Sequence, residues 1–366
     1  MILMNDFRAE SQESREATLA AVKRVIDSGH YILGENLAEF ELKWAKTCGV
    51  KYAIGVGNGM DAIEISLRSL GIGAGDEVIT TPMTAFATVL GIMRAGATPV
   101  LADIDPRTAL MSLESAQRCI TRRTRAVLAV HLYGNLSSVE QWLKFCLDRG
   151  IHLIEDCAQS HLSSFGGSVA GSFGIAGAYS FYPTKNLGAL GDAGMVVTSN
   201  PELARNAISL RNYGQSERYY HPLIGLNSRL DEIQAAILLE RYRHLEQQTI
   251  RRQAIATAYR SHIRNPNVKM LNQPIAEESH VYHLFVIQCP NRAHLQEHLA
   301  RLNIQTLIHY PIPIHMQEPC LNIPRDPLGL ENSEHHSQVC ISIPCHPQLS
   351  NEEVGQVISG INEFDT

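Results

Sequence analysis

The chain has 366 residues, 45% of them hydrophobic and 19% charged. That is a globular composition, too long for one ordinary core, so a large and a smaller domain are expected. The net charge of −6 favours neither nucleic acid nor an anionic membrane as a partner. The start, "MILMNDFRAESQESREA", turns acidic at once and lacks the basic opening and long apolar core of a signal peptide. No apolar run reaches membrane-spanning length, and a cytoplasmic location is expected. The eight cysteines are scattered with no CxxC pair, which points to reduced, mostly buried thiols. Cys340, Cys345 and His346 match no common metal spacing, so no metal is expected.

Strand-like and helix-like segments alternate along the chain. "KYAIGV" predicts a strand and "MDAIEISLRSL" a helix. "DEVITT", "TPVLADID", "RAVLAVHLYG" and "IHLIED" predict further strands. They alternate with helices at "AFATVLGIMRAG", "SLESAQRCI" and "SVEQWLKFCLDRG". Such units with short connections imply an α/β fold, a mostly parallel sheet flanked by helices. The nearly all-apolar strands fit a sheet buried on both faces. "GAYSFYPTK" and "GMVVTS", joined by a glycine-rich loop, suggest a hairpin. Asp231 to about His262 is expected to form one long helix, with a domain boundary along it: residues 1–240 large, 241–366 small. The small domain is expected to be α+β, with strands at "HVYHLFVIQC" and "TLIHYPIPIH" and a last helix capped near Ser350.

In open α/β sheets ligands collect beyond the carboxyl ends of the strands. Gly57, Asn58 and Gly59 lie between a strand and a helix, where bare N–H groups suit a phosphate. The G-x-G-x-x-G spacing of dinucleotide binders fails at Met60, and Thr80 and Thr81 stand where the next strand should end in an acid. Asp156 ends an apolar strand, and a buried carboxylate needs a cation or donors. Lys185 follows the next strand, with Ser180 five residues before it. A lysine, a strand-end acid and a phosphate seat are what pyridoxal phosphate requires. The amine bonds its aldehyde, the acid keeps its ring nitrogen protonated, and N–H and hydroxyl groups hold its phosphate. Phe86, at the start of the helix after "TTPMTA", reads as core when taken alone and as a candidate to stack on the ring beside the other three features.

The strings "GNGMDAI", "TPMTAFAT", "DIDPRT", "VHLYGN", "EDCAQSH", "SFYPTKNLGALGDAGMVVT", "GLNSRLDEIQAAIL", "HYPIPIH" and "SIPCHPQLS" occur in the order seen in the DegT/DnrJ/EryC1/StrS sugar aminotransferases. The chain resembles this family from about residue 30 onward. The resemblance implies the aspartate-aminotransferase-like fold (fold type I) and a cofactor alternating between pyridoxal and pyridoxamine phosphate. It implies that Lys185 bonds the cofactor, that Asp156 partners the ring nitrogen and Gln159 the ring hydroxyl, and that Phe86 stacks. Ser180 and the backbone of Gly59 and Met60 are implied as phosphate ligands. Asn227 is implied to reach the phosphate of a second subunit, giving a homodimer with shared sites. Tyr310 and His315 are implied near the substrate; Arg229 reads equally as a substrate contact across the dimer or as a surface or interface ion pair. The substrates implied are L-glutamate and a nucleotide-linked keto-sugar. "GNGMDAI" and "LNSRLDEIQAAIL" are more similar to members that aminate carbon 3 of dTDP-3-keto-6-deoxyhexoses. Carbon-4 members more often carry Asn-Tyr-Arg at "NSR". The alternatives are a carbon-4 aminotransferase and a non-catalytic member. The chain departs from many members at Met60–Asp61, where they have Thr-Ala, and at "SHLSS".

Overall fold

The computed structural model describes residues 1–365. Two helices come first, α1 (Gln12–Ser28) and α2 (Glu35–Cys48). Ser11 caps α1, and Gly29 ends it in the left-handed conformation, φ 66°. The alternating region follows as β1 (Tyr52–Val56), α3 (Gly59–Ser69), β2 (Glu77–Thr80), α4 (Phe86–Arg94) and β3 (Thr98–Leu101). It continues through α5 (Leu113–Arg118), β4 (Thr124–Val130), α6 (Val139–Leu147) and β5 (His152–Asp156). A two-residue pair, β6 (Ser164–Phe165) and β7 (Ser168–Val169), precedes β8 (Ala176–Ser180), β9 (Gly194–Thr198) and α7 (Pro201–Leu210).

Seven strands form one sheet in the order β1-β9-β8-β5-β4-β2-β3. All its neighbours pair in parallel except those of β9, which runs antiparallel to both β8 and β1. The β8–β9 hairpin is therefore present as expected. Apolar cores fill both faces of the sheet, so its strands have no room for polar alternation.

The expected long helix over 231–262 is instead two, α8 (Glu232–Tyr242) and α9 (Leu245–His262). The break at Arg243–His244 lets one stretch serve two cores. Leu238 and Leu245 pack in the core of the large sheet, while Ile255, Ala256 and Tyr259 pack in a separate C-terminal core. That second core is built on a three-stranded sheet, β10 (Lys269–Met270), β11 (Phe285–Gln288) and β12 (Cys340–Ile343). Around it lie α10 (Arg292–Arg301), α11 (Glu331–Val339) and α12 (Asn351–Asn362), the last capped by Ser350 in a capping box with Glu353.

Two strand expectations are corrected. In "HVYHLFVIQC" only Phe285–Gln288 is strand, because Tyr282 has φ 46° and its ring stacks on His280 at 3.8 Å. "TLIHYPIPIH" is not a strand. Leu307 alone bridges Ser342, and Ile314–Met316 forms a short 3-10 turn. Pro311 and Pro313 cannot donate to a ladder. No helix among the described residues is long and apolar enough to cross a membrane. All eight cysteines are free and buried.

Candidate active site

The ends of β1, β5 and β8 converge. Asn58 caps α3, its Oδ1 accepting from the Asp61 N–H at 2.8 Å. The N-terminal N–H groups of α3, at Gly59 and Met60, thus open toward the end of β8. Gly59 is obligatory, since a Cβ there would stand 2.7 Å from that of Ser180. So is Gly194 at the start of β9, whose Cβ would fall 2.3 Å from the Asn58 carbonyl.

Asp156, paired with Ala178 of β8 at the edge of this space, is buried. Its Oδ2 accepts from Thr88 Oγ1 of α4 at 2.8 Å, and its Oδ1 from the Ala158 N–H at 3.1 Å. The Thr88 hydroxyl is also 2.7 Å from that of Thr84. Lys185 follows β8, its N–H bonded to the Tyr182 carbonyl at 2.8 Å. Burial lowers the Lys185 pKa from 10.5 to about 8, against the opposing pull of the Asp156 charge. The next residue, Asn186, is clamped: its Nδ2 donates to Val281 O at 3.1 Å, and its Oδ1 accepts from His283 Nδ1 at 3.2 Å. His161, His283 and His309 all feel the Lys185 charge, but burial is the larger cause holding each below its ordinary pKa. Neutral imidazoles therefore surround the lysine. A cavity of about 570 Å³ opens beside it, lined by Lys185, Asn186, Asp6, Gln248, Arg241 and Arg252 among others.

Gln159 is held between two tyrosines. Its Oε1 accepts from the Tyr133 N–H at 2.6 Å, and its Nε2 donates to the Tyr310 hydroxyl at 3.2 Å. Burial raises Tyr310 to about 12, so its hydroxyl keeps its proton. Phe86 opens α4, half-buried. Ser180 accepts from the Tyr182 N–H at 3.3 Å. His315 is buried and turned to α11, its Nε2 3.0 Å from Glu334. Asn227 is exposed, without a side-chain hydrogen bond among the described residues. Arg229 donates to Asn212 at 3.1 Å and lies over the Tyr213 ring. Lys185, Asp156, Gln159, Tyr310 and Ser180 thus belong to one region; Asn227 and Arg229 face elsewhere, and His315 contacts Glu334 of α11.

Sequence reasoning missed Thr88, Tyr133 and His283, each an ordinary residue in an apolar stretch. It also passed over Glu155. The fully buried Glu155 carboxylate lies 2.9 Å from His131 and accepts from the N–H groups of Gly171, Phe173 and Gly174. With Cys157 this is a cluster of metal-ligand spacing, but its acid is already committed to pinning the loop.

The family model "DegT/DnrJ/EryC1/StrS aminotransferase family" matches residues 12–362. The chain belongs to this family. It is an aminotransferase, and its cofactor is pyridoxal phosphate. A dTDP-3-amino-3,6-dideoxy-alpha-D-galactopyranose transaminase from Aneurinibacillus thermoaerophilus is 42% identical over 364 residues, covering 100% of this chain and 99% of that one. S. venezuelae DesV, solved in complex with a ketimine intermediate, superposes with a TM-score of 0.95 at 38% identity, over 99% of this chain and 98% of that one. NtdA from Bacillus subtilis, solved with bound cofactor PMP, gives a TM-score of 0.89 at 28% identity, over 97% of this chain and 82% of that one. A partly neutral lysine, a buried carboxylate and the open N-terminus of α3 fit the aldehyde, ring nitrogen and phosphate of the cofactor.

Proposed function

We propose that this aminotransferase moves the amino group of L-glutamate to carbon 3 of a dTDP-3-keto-6-deoxyhexose, as a homodimer with shared sites. The observation that carries it is Lys185, just after β8, its amine lowered to about 8 by burial and acted on by the Asp156 charge, with Ser180 of the same strand against the Gly59 turn. Support for the sugar comes from the Aneurinibacillus relative, named for a dTDP-3-amino sugar, and from the serine in "NSR".

The residues take these roles. Pyridoxal phosphate supplies an electron sink once its ring nitrogen is protonated. Asp156, fixed by Thr88, would accept a hydrogen bond from the ring N–H and keep that nitrogen protonated. Gln159, fixed by Tyr133, aims its amide at the ring hydroxyl. Phe86 covers the ring face, and Ser180 with the N–H groups of Gly59 and Met60 binds the phosphate. Lys185 Nζ, neutral in a useful fraction near pH 8, takes the proton from the donor's α-carbon. In the second half-reaction it serves the sugar carbon. Tyr310 and His315 border the substrate. Asn227 and Arg229 reach a second copy, on a segment whose exposed Tyr219, Tyr220, Leu223 and Ile224 are apolar cover for a partner. A division near residue 240, at the α8–α9 break, leaves the lysine on the large domain and Tyr310 on the small one.

The test is turnover of purified enzyme with L-glutamate and a dTDP-3-keto-6-deoxyhexose, with the product read by NMR. An amine at carbon 3 is expected. Turnover only of 4-keto sugars, with the amine at carbon 4, would contradict the proposal.

A further inference from the structure

A carboxylate stands where a phosphate is to bind. Asp61 is in the first turn of α3, beside the Gly59 and Met60 N–H groups, and it is only 7% exposed. An unshielded anion there repels a phosphate. Three groups are turned onto it: Asn58 Nδ2 at 3.1 Å, Arg94 at 3.3 Å and the Ser228 hydroxyl at 2.7 Å. Ser228 itself is 1% exposed. Its oxygen also accepts from the Gly57 N–H at 2.9 Å. One hydroxyl therefore joins the phosphate turn to the segment Asn227–Arg229. Asn227, one residue before it, faces solvent, and Arg229, one after, is held by Asn212. A Cβ on Gly57 would lie 3.3 Å from the Ser228 oxygen, so the turn and Ser228 are in close contact.

We propose that Asp61 and Ser228 are a positioning pair with two effects. The pair shields the phosphate seat from the Asp61 charge, and it fixes the register in which Asn227 leaves toward the second subunit. Cofactor affinity at one site then depends on the packing of the other protomer's turn. This rests on the cofactor and homodimer roles proposed above.

The experiment titrates apoprotein with pyridoxal phosphate, and separately with pyridoxal, following the visible absorption of the bound ligand. Sedimentation checks association. Ser228→Ala is expected to weaken pyridoxal phosphate about tenfold, the scale of one buried hydrogen bond to a charged group, with pyridoxal unaffected. The Asn227→Ala/Ser228→Ala double variant is expected to lose less than the product of the single losses. Asp61→Asn, which keeps an acceptor and removes the charge, is expected to bind pyridoxal phosphate at least as tightly as wild type. Wild-type affinity in Ser228→Ala, an equal loss for both ligands, fully multiplying losses or weaker binding by Asp61→Asn would each overturn the pair. Failure of the wild-type protein itself to bind pyridoxal phosphate or to dimerise would instead overturn the reading on which the pair rests.

Discussion

The Lys185 amine is held near 8 because the loss of hydration on burial outweighs the Asp156 charge. Only the neutral amine attacks an aldehyde. Since the pKa lies below the ordinary 10.5, the neutral fraction rises as pH passes through about 8 and saturates above it. Capture of pyridoxal phosphate by apoprotein, followed by stopped-flow absorbance, is expected to accelerate to roughly pH 9 and then level. A rate still climbing through the ordinary lysine range would contradict the buried amine. Lys185→Ala is expected to lower turnover by on the order of 10²–10⁴-fold or more while circular dichroism stays unchanged. Thr88→Val removes the donor to Asp156 Oδ2, a charge-assisted bond of about 1.5–3 kcal/mol. It should cut turnover roughly tenfold or more, measured at saturating glutamate. Lys185 and Asp156 were legible in the sequence because polar residues at the ends of apolar strands stand out. Thr88 was not, since a threonine inside "AFATVLGIMR" looks like packing. Nor was the hold of Tyr133 on Gln159, which depends on Tyr133 adopting φ 63°.

At the scale of elements, the site depends on β9 lying against the turn before α3. Gly194→Ala would press a methyl into the Asn58 carbonyl, at 2.3 Å. Relief requires shifting the cap of α3, at about 1–3 kcal/mol and with loss of phosphate affinity. Urea unfolding and a cofactor titration on the same variant check both effects. An unchanged midpoint and affinity would show that the turn and strand are not in register as described. The alternating units were readable because each buries a continuous apolar strand and ends in a turn. The α8–α9 break was not, because Tyr242, Arg243 and His244 carry no glycine or proline. The helix breaks there for a tertiary reason, the need to serve two cores. "TLIHYPIPIH" misled in the opposite way: Ile314 is buried and Ile308 packs on a core, but Leu307 and Ile312 are exposed, and Pro311 and Pro313 bar a ladder.

For the whole molecule, the alternation of strands and helices conveyed a mostly parallel sheet, and the later segments a smaller C-terminal α+β unit. Neither conveyed how the N-terminus is placed. Ile2 donates to Asn303 O at 2.7 Å and pairs with Ile304, so the first residues pack on the C-terminal core, a contact between distant segments that no local pattern marks. Ile224, 88% exposed, is expected to be covered in the proposed dimer. Ile224→Asp should weaken self-association by about tenfold or more, seen by sedimentation, and loosen cofactor retention with it. The most direct test of the central claim is the half-reaction with L-glutamate. Purified protein loaded with pyridoxal phosphate is mixed with L-glutamate, while the visible band and 2-oxoglutarate are recorded together. The band is expected to bleach as one equivalent of 2-oxoglutarate appears per site, with Lys185→Ala slowed by the factor given above. A band indifferent to glutamate and to every other amino acid, with no keto acid formed, would contradict transamination by this site.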